Sequence, residues 1–223
     1  SKKLSLSMLK AIVALDNLEE VSLSFSSSMQ QALLLAITLS AQKNIKAIDL
    51  EMKPDEEITV FCKNFWAPLV KFSLKNDFSL SNRCLDAIAL FLQTQKTLKQ
   101  LSLKIYSFDL EFITRVGHSI QKLQSLENFQ LCYNASDNFQ TETLPQVKEF
   151  VGKLETTTHL RLEAENESIT PPLLLAILQG ISLMKKLRKL DLKMNFYKIS
   201  PKEIPSLVNI FRSIRSFAQV NID

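Results

Sequence analysis

Apolar residues in this 223-residue chain recur in a short phrase: one apolar residue, two of any kind, a second apolar residue, one of any kind, and a third apolar residue. It reads Leu18-x-x-Val21-x-Leu23, Ile45-x-x-Ile48-x-Leu50, Leu69-x-x-Phe72-x-Leu74 and Leu98-x-x-Leu101-x-Leu103. It continues as Leu126-x-x-Phe129-x-Leu131, Thr157-x-x-Leu160-x-Leu162, Leu187-x-x-Leu190-x-Leu192 and Phe217-x-x-Val220-x-Ile222. The starts are 27, 24, 29, 28, 31, 30 and 30 residues apart. A near-constant period of this length predicts stacked, similar units, none of which can bury its apolar face alone.

Each unit has two halves. Positions four and six of the phrase are apolar with polar residues between them, the period-two pattern of a strand with one buried face. The second half has helical spacing, as in Leu85, Ile88, Ala89 and Leu92. Thr170 before Pro171, and Ser200-Pro201-x-Glu203, are helix start signals. The pattern predicts helices near 29–41, 55–66, 82–94, 108–122, 143–153, 171–184 and 201–214, with a short one near 8–15. Strands alternating with helices predict an α/β fold with a parallel sheet.

These residues resemble the leucine-rich-repeat family, and the long helical halves resemble its ribonuclease-inhibitor-like subclass. The resemblance spans about Leu4 to Ile222. It implies one solenoid domain over 1–223, with about eight repeats, a curved parallel sheet on the concave side and helices on the convex side. The family pattern places Asn or Cys three residues after the last strand leucine. Only Asn134 and Asn195 match; Ser26, Lys53, Asp77, Tyr106 and Glu165 stand at the other positions. Irregular turns are the expected result. Leu4 at one end and Asp223 at the other leave no polar capping repeat, so a longer chain or a covering partner is expected.

A hydrophobic content of 46% supplies a sizeable core without disulfide help, and the net charge of +4 is mild. The three cysteines form no cluster, and the cysteine-rich end caps of extracellular relatives are missing. A cytoplasmic or nuclear location is therefore expected. The longest apolar run, Pro171 to Met184, is too short for a membrane span.

Catalytic signals are poor. His118 and His159 lie more than a repeat apart, with no Cys, Ser or Asp at triad or metal-ligand spacing. Gly117, Gly152 and Gly180 all fall within predicted helices, so no phosphate-cradling loop is formed. No enzyme activity, cofactor or metal is expected. The expected partner is another protein.

Positions two, three, five, seven and eight are read as facing away from the core. The first repeats are acidic there (Glu19, Glu20, Asp49, Glu51); the third and fourth carry Lys71, Lys75, Lys99 and Lys104; the seventh carries Arg188, Lys189 and Lys193. The lysine group is a candidate dock for an acidic segment of a partner. Position eight offers a second candidate, an apolar rim of Phe25, Met52, Ile105, Tyr133 and Met194. Trp66, at a helix end, is expected to pack against the next repeat. The lysines lack interleaved aromatic residues, which disfavours nucleic acid. The functional expectation is a non-catalytic scaffold within a larger assembly. The resemblance also admits the substrate-recognition repeats of a ubiquitin ligase, or a GTPase-activating regulator.

Overall fold

A computed structural model of the chain describes residues 6–15, 17–25, 28–53, 55–134, 143–196, 200–215 and 218–222. Leu4, Ser26, Phe217 and Asp223 lie outside that set, as does the side chain of Phe25.

Eight strands form one parallel sheet in chain order: β1 (Glu20–Phe25), β2 (Ala47–Met52), β3 (Lys71–Lys75), β4 (Gln100–Ser107), β5 (Asn128–Asn134), β6 (His159–Ile169), β7 (Lys189–Phe196) and β8 (Gln219–Ile222). The sheet is open, since β1 and β8 each have one neighbour. Helices alternate with the strands: α1 (Leu6–Val13), α2 (Met29–Ser40), α3 (Asp55–Asn64) and α4 (Asn82–Thr94) come first. Next is a segment of α5 (Leu110–Phe112), a π-helical turn (Ile113–Gly117) and α6 (His118–Gln121), followed by α7 (Leu144–Gly152), α8 (Pro171–Ile181) and α9 (Ile204–Arg215). Each helix contacts the next in chain order, so a row of helices runs alongside the row of strands. Among the described residues no helix is long and apolar enough to cross a membrane.

The register follows the phrase. Val21, Ile48, Phe72, Leu101, Phe129, Leu160, Leu190 and Val220 align across the sheet, and so do Leu23, Leu50, Leu74, Leu103, Leu131, Leu162, Leu192 and Ile222. Position one is buried from Ile45 to Leu187, with Thr157 filling the apolar slot of the sixth repeat. Its hydroxyl has no hydrogen-bond partner.

Local chemistry sets the helix starts. Ser28 caps α2 reciprocally: its Oγ accepts from Gln31 N at 3.4 Å, and its own N–H donates to Gln31 Oε1 at 2.9 Å. Ser81 accepts from Cys84 N, and Asp109 accepts from Phe112 N at 2.9 Å. At Ser200 the N–H donates to Glu203, but residues 201–203 form a turn and α9 begins only at Ile204.

The starts of β2 to β7 are all built the same way. The position-two carbonyl accepts from two successive amides of the next repeat: Glu19 O from Lys46 and Ala47, then Lys46 O from Val70 and Lys71. Val70 O, Lys99 O, Glu127 O and Thr158 O continue the series. Strand ends are less regular, with register shifts between Ile105 and Ser107 and between Glu163 and Ser168. The third repeat uses Asn76 for its turn, one residue before the position the family pattern indicates. Buried Asn76 donates to Met52 O at 2.8 Å and Lys53 O at 3.0 Å, and its Oδ1 accepts from Phe78 N.

The glycines serve helix contact. A Cβ on Gly180 of α8 would lie 2.7 Å from Lys148 O and 2.8 Å from Val151 Cβ, both in α7. A Cβ on Gly117 would lie 2.9 Å from the Phe150 ring. Phenylalanines fill the layer between helices and sheet, with Phe72 and Phe91 rings 4.7 Å apart and Phe108 and Tyr133 rings 5.1 Å apart.

Candidate partner-binding face

Helices cover the sheet face that carries positions four, six and eight. The opposite face carries positions three, five and seven and is open to solvent along much of its length.

This division corrects the expected apolar rim. Met52, Ile105, Tyr133 and Met194 are all buried in the hydrophobic core. The strands continue past position six without turning, so alternation returns position eight to the helix side. Trp66 departs the other way. It is 60% exposed, held by its N–H donating to Ser40 Oγ at 3.0 Å, while neighbouring Phe65 is buried.

The four candidate lysines sit together on and just before β3 and β4, and Lys75 is in register with Lys104. Each already holds a carboxylate. Lys71 Nζ lies 2.9 Å from Glu20, Lys75 Nζ 3.5 Å from Asp49, and Lys99 Nζ 3.3 Å from Glu127. Lys104 bridges Glu165 at 2.9 Å and Asp77 at 3.4 Å, and its hydrogen bond to Glu165 leads the effects that raise its pKa. The basic zone is therefore stitched to the acidic residues of neighbouring strands. Exposed pairs of this kind contribute ~0–1 kcal/mol each, so a partner carboxylate can replace the internal one at little cost.

Around β5 to β7 the pairing is denser. Glu163 is buried and accepts from Lys193 at 2.5 Å and Arg161 at 3.1 Å. The hydrogen bond from Lys193 leads the effects that hold its carboxyl below the usual range. Cys132 Sγ and the carboxylates of Glu163 and Glu165 lie within 4.8 Å of one another, the geometry of a metal site. The donor set does not fit one. Both carboxylates are already neutralised by Lys193, Arg161 and Lys104, and the thiol is pushed up to about 12, first by burial and then by Glu165 and Glu163. A thiol protonated at neutral pH is a poor metal ligand.

Asp191 anchors the next group. His159 Nε2 lies 2.7 Å from its Oδ2, Lys189 Nζ 3.1 Å away, and Asn221 donates to Oδ1 at 2.5 Å. Burial alone would raise its pKa, but the bonds from His159, Asn221 and Lys189 outweigh burial and hold it at about 2. No nucleophile contacts this His–Asp pair among the described residues, and Asp191 is saturated by three donors. The group fixes strands β6 to β8 to one another.

Between the two paired regions the face forms a shallow groove of about 270 Å³. Gln100, Ser102, Asn128 and Gln130 line it, with Lys71 on one flank and His159 and Arg161 on the other. The four uncharged side chains form no hydrogen bond with any described residue, so their donors and acceptors are unused. Sequence reading placed these residues on the outward lanes without singling them out. The distinguishing signal, amides flanked by charged lanes, emerges only once neighbouring repeats are aligned.

No family model matches this chain, and comparison with curated proteins returns no match either.

Proposed function

We propose that the chain is a leucine-rich-repeat solenoid acting as a non-catalytic scaffold, which grips an extended segment of a partner protein along the open face of its sheet. The observation that carries this reading is the groove over β4 and β5. Amide and hydroxyl groups of Gln100, Ser102, Asn128 and Gln130 stand unpaired there, while the charged lanes on both sides are paired internally. Unused side-chain amides can bond the backbone N–H and C=O groups of an extended peptide. Lys71, Lys75, Lys99 and Lys104 then set the register by exchanging their internal carboxylates for those of the partner.

The test is affinity purification from the native source with crosslinking mass spectrometry. Crosslinks from Lys71, Lys75, Lys99 or Lys104 to one stoichiometric partner support the reading. Crosslinks confined to the helices and the chain ends overturn it. The double variants Gln100→Ala/Gln130→Ala and Lys75→Glu/Lys104→Glu should each release that partner while retaining the parent circular dichroism spectrum.

A further inference from the structure

We infer a second docking surface, on the rim where the strands begin, which takes an acidic segment of a partner protein with apolar residues among its carboxylates. The rim runs through the turns before β4, β5, β6 and β7. Lys96, Lys122, Lys185, Lys186 and Arg188 project from it, all exposed and none in an ion pair with a described residue. Carboxylates on the same stretch are fewer and mostly engaged: Glu127 with Lys99 at 3.3 Å and Glu149 with Lys153 at 2.5 Å, which leaves Glu155. The open face neutralises its lysines, whereas these five cations of the rim have no carboxylate partner among the described residues.

Compensation of helix dipoles accounts for only part of the charge. Lys122 and Lys153 are the C-terminal caps of α6 and α7, where a cation offsets the partial negative charge of the helix end. That effect fades within the last turn. Lys185, Lys186 and Arg188 lie beyond the end of α8 at Ile181 and its cap Ser182, so the helix dipole does not account for them, and they form no ion pair with a described residue.

The shape of the rim adds an apolar element. Two hollows open between adjacent helix ends. One, of about 410 Å³, places Leu92 and Leu123 beside Lys96 and Lys122; the other, of about 250 Å³, places exposed Leu183 beside Lys185 and Lys186. Leu92 and Leu123 are buried and only floor the first hollow, whereas the exposed Leu183 of the second stands next to two ammonium groups, which suits an apolar side chain flanked by carboxylates. The doubly accepting carbonyls of Lys99, Glu127 and Thr158 fix the backbone of the strand starts beside these hollows. A nucleic acid fits less well. Glu127, Glu149 and Glu155 interrupt the cationic row, and the hollows carry no aromatic ring on which a base could stack.

The experiment is fluorescence anisotropy at low ionic strength, with a short fluorescein-labelled peptide of Glu, Ser and Leu as probe. Lys96→Glu/Lys122→Glu and Lys185→Glu/Lys186→Glu should each weaken binding by about tenfold or more. The milder Lys185→Gln/Lys186→Gln should weaken it in the same direction by less, and replacing the peptide leucines with Ser should weaken it too. Measured in a Lys75→Glu/Lys104→Glu background, which disables the open face, the peptide should still bind and the rim variants should still weaken it, so the rim and the groove fail independently. Equal affinity in the rim variants overturns the proposal. So does tighter binding of a single-stranded oligonucleotide, or of phosphatidylserine vesicles, than of the peptide.

Discussion

Replacing Gly180 with Ala tests the closeness of α7 and α8 directly. The added Cβ would meet a backbone carbonyl, Lys148 O, at 2.7 Å and Val151 Cβ at 2.8 Å. Real Cβ atoms do not approach that closely, and a backbone carbonyl cannot swing away as a side-chain tip can. The two helices must separate, at an overpacking cost of about 1–3 kcal/mol. Alanine also brings a gain in helix propensity of up to about 1 kcal/mol. The net expectation is a loss of about 1–2 kcal/mol, or a fall in melting temperature of roughly 2–8 °C for a chain of this size. Gly152→Ala is the internal control. There the new Cβ would meet Leu183 Cδ1 at 3.1 Å, the free end of an exposed side chain that can rotate aside. This variant should be neutral or stabilised by up to about 1 kcal/mol. Differential scanning calorimetry of the two proteins gives the comparison. If Gly180→Ala melts at or above the parent temperature, the close packing of α7 on α8 is wrong.

Three further outcomes follow from the same chemistry. Thr157→Val should stabilise by about 1 kcal/mol in urea titration, because it removes a buried hydroxyl without a partner from a slot that is apolar in the neighbouring repeats. Asp191 has its carboxyl held at about 2 against an ordinary 3.8, so its stabilisation is present above about pH 4 and is lost as the pH falls through about 2. The full effect is about 2 kcal/mol, and an acid titration followed by circular dichroism should be flatter across that window in Asp191→Asn. Cys62, Cys84 and Cys132 are buried, and burial pushes all three thiols up, Cys62 and Cys132 to about 12. A thiol-reactive chromogenic disulfide at pH 8 should find none of them in the native protein and all three in denaturant.

The strand register was legible to the residue, because positions four and six alternate in every repeat and the sheet aligns them without slip. The helices fell close to their expected spans for the same reason. Position eight was misread although the rule needed to place it was already in use: it shares the parity of four and six, yet Met52 and Tyr133 were set on the outward lanes. The ion pairs were hidden for a different reason. Lys104 finds Glu165 two strands away, across the small side chain of Cys132, and nothing in the local sequence of either residue announces the other. Asn76 was missed by one position, since β3 ends early, at Lys75, and the next side chain reaches back to the preceding repeat. The groove amides lacked any local mark, being defined by the absence of partners.

The doubly accepting carbonyl at the starts of β2 to β7 acts as a datum from which those repeats are measured. Repeat lengths vary between 24 and 31 residues, yet the strand starts stay aligned, so the surplus residues are accommodated elsewhere in each unit. Both register shifts lie toward the strand ends, in the two longest strands that end in a shift, β4 and β6. One margin of the molecule is thus a ruled edge and the other a ragged one. Insertions in the ragged margin can lengthen a loop or add a contact without moving a single lane of the face, whereas a residue gained or lost at the ruled edge would shift its own strand by one place against its neighbours and turn that strand's core side chains outward.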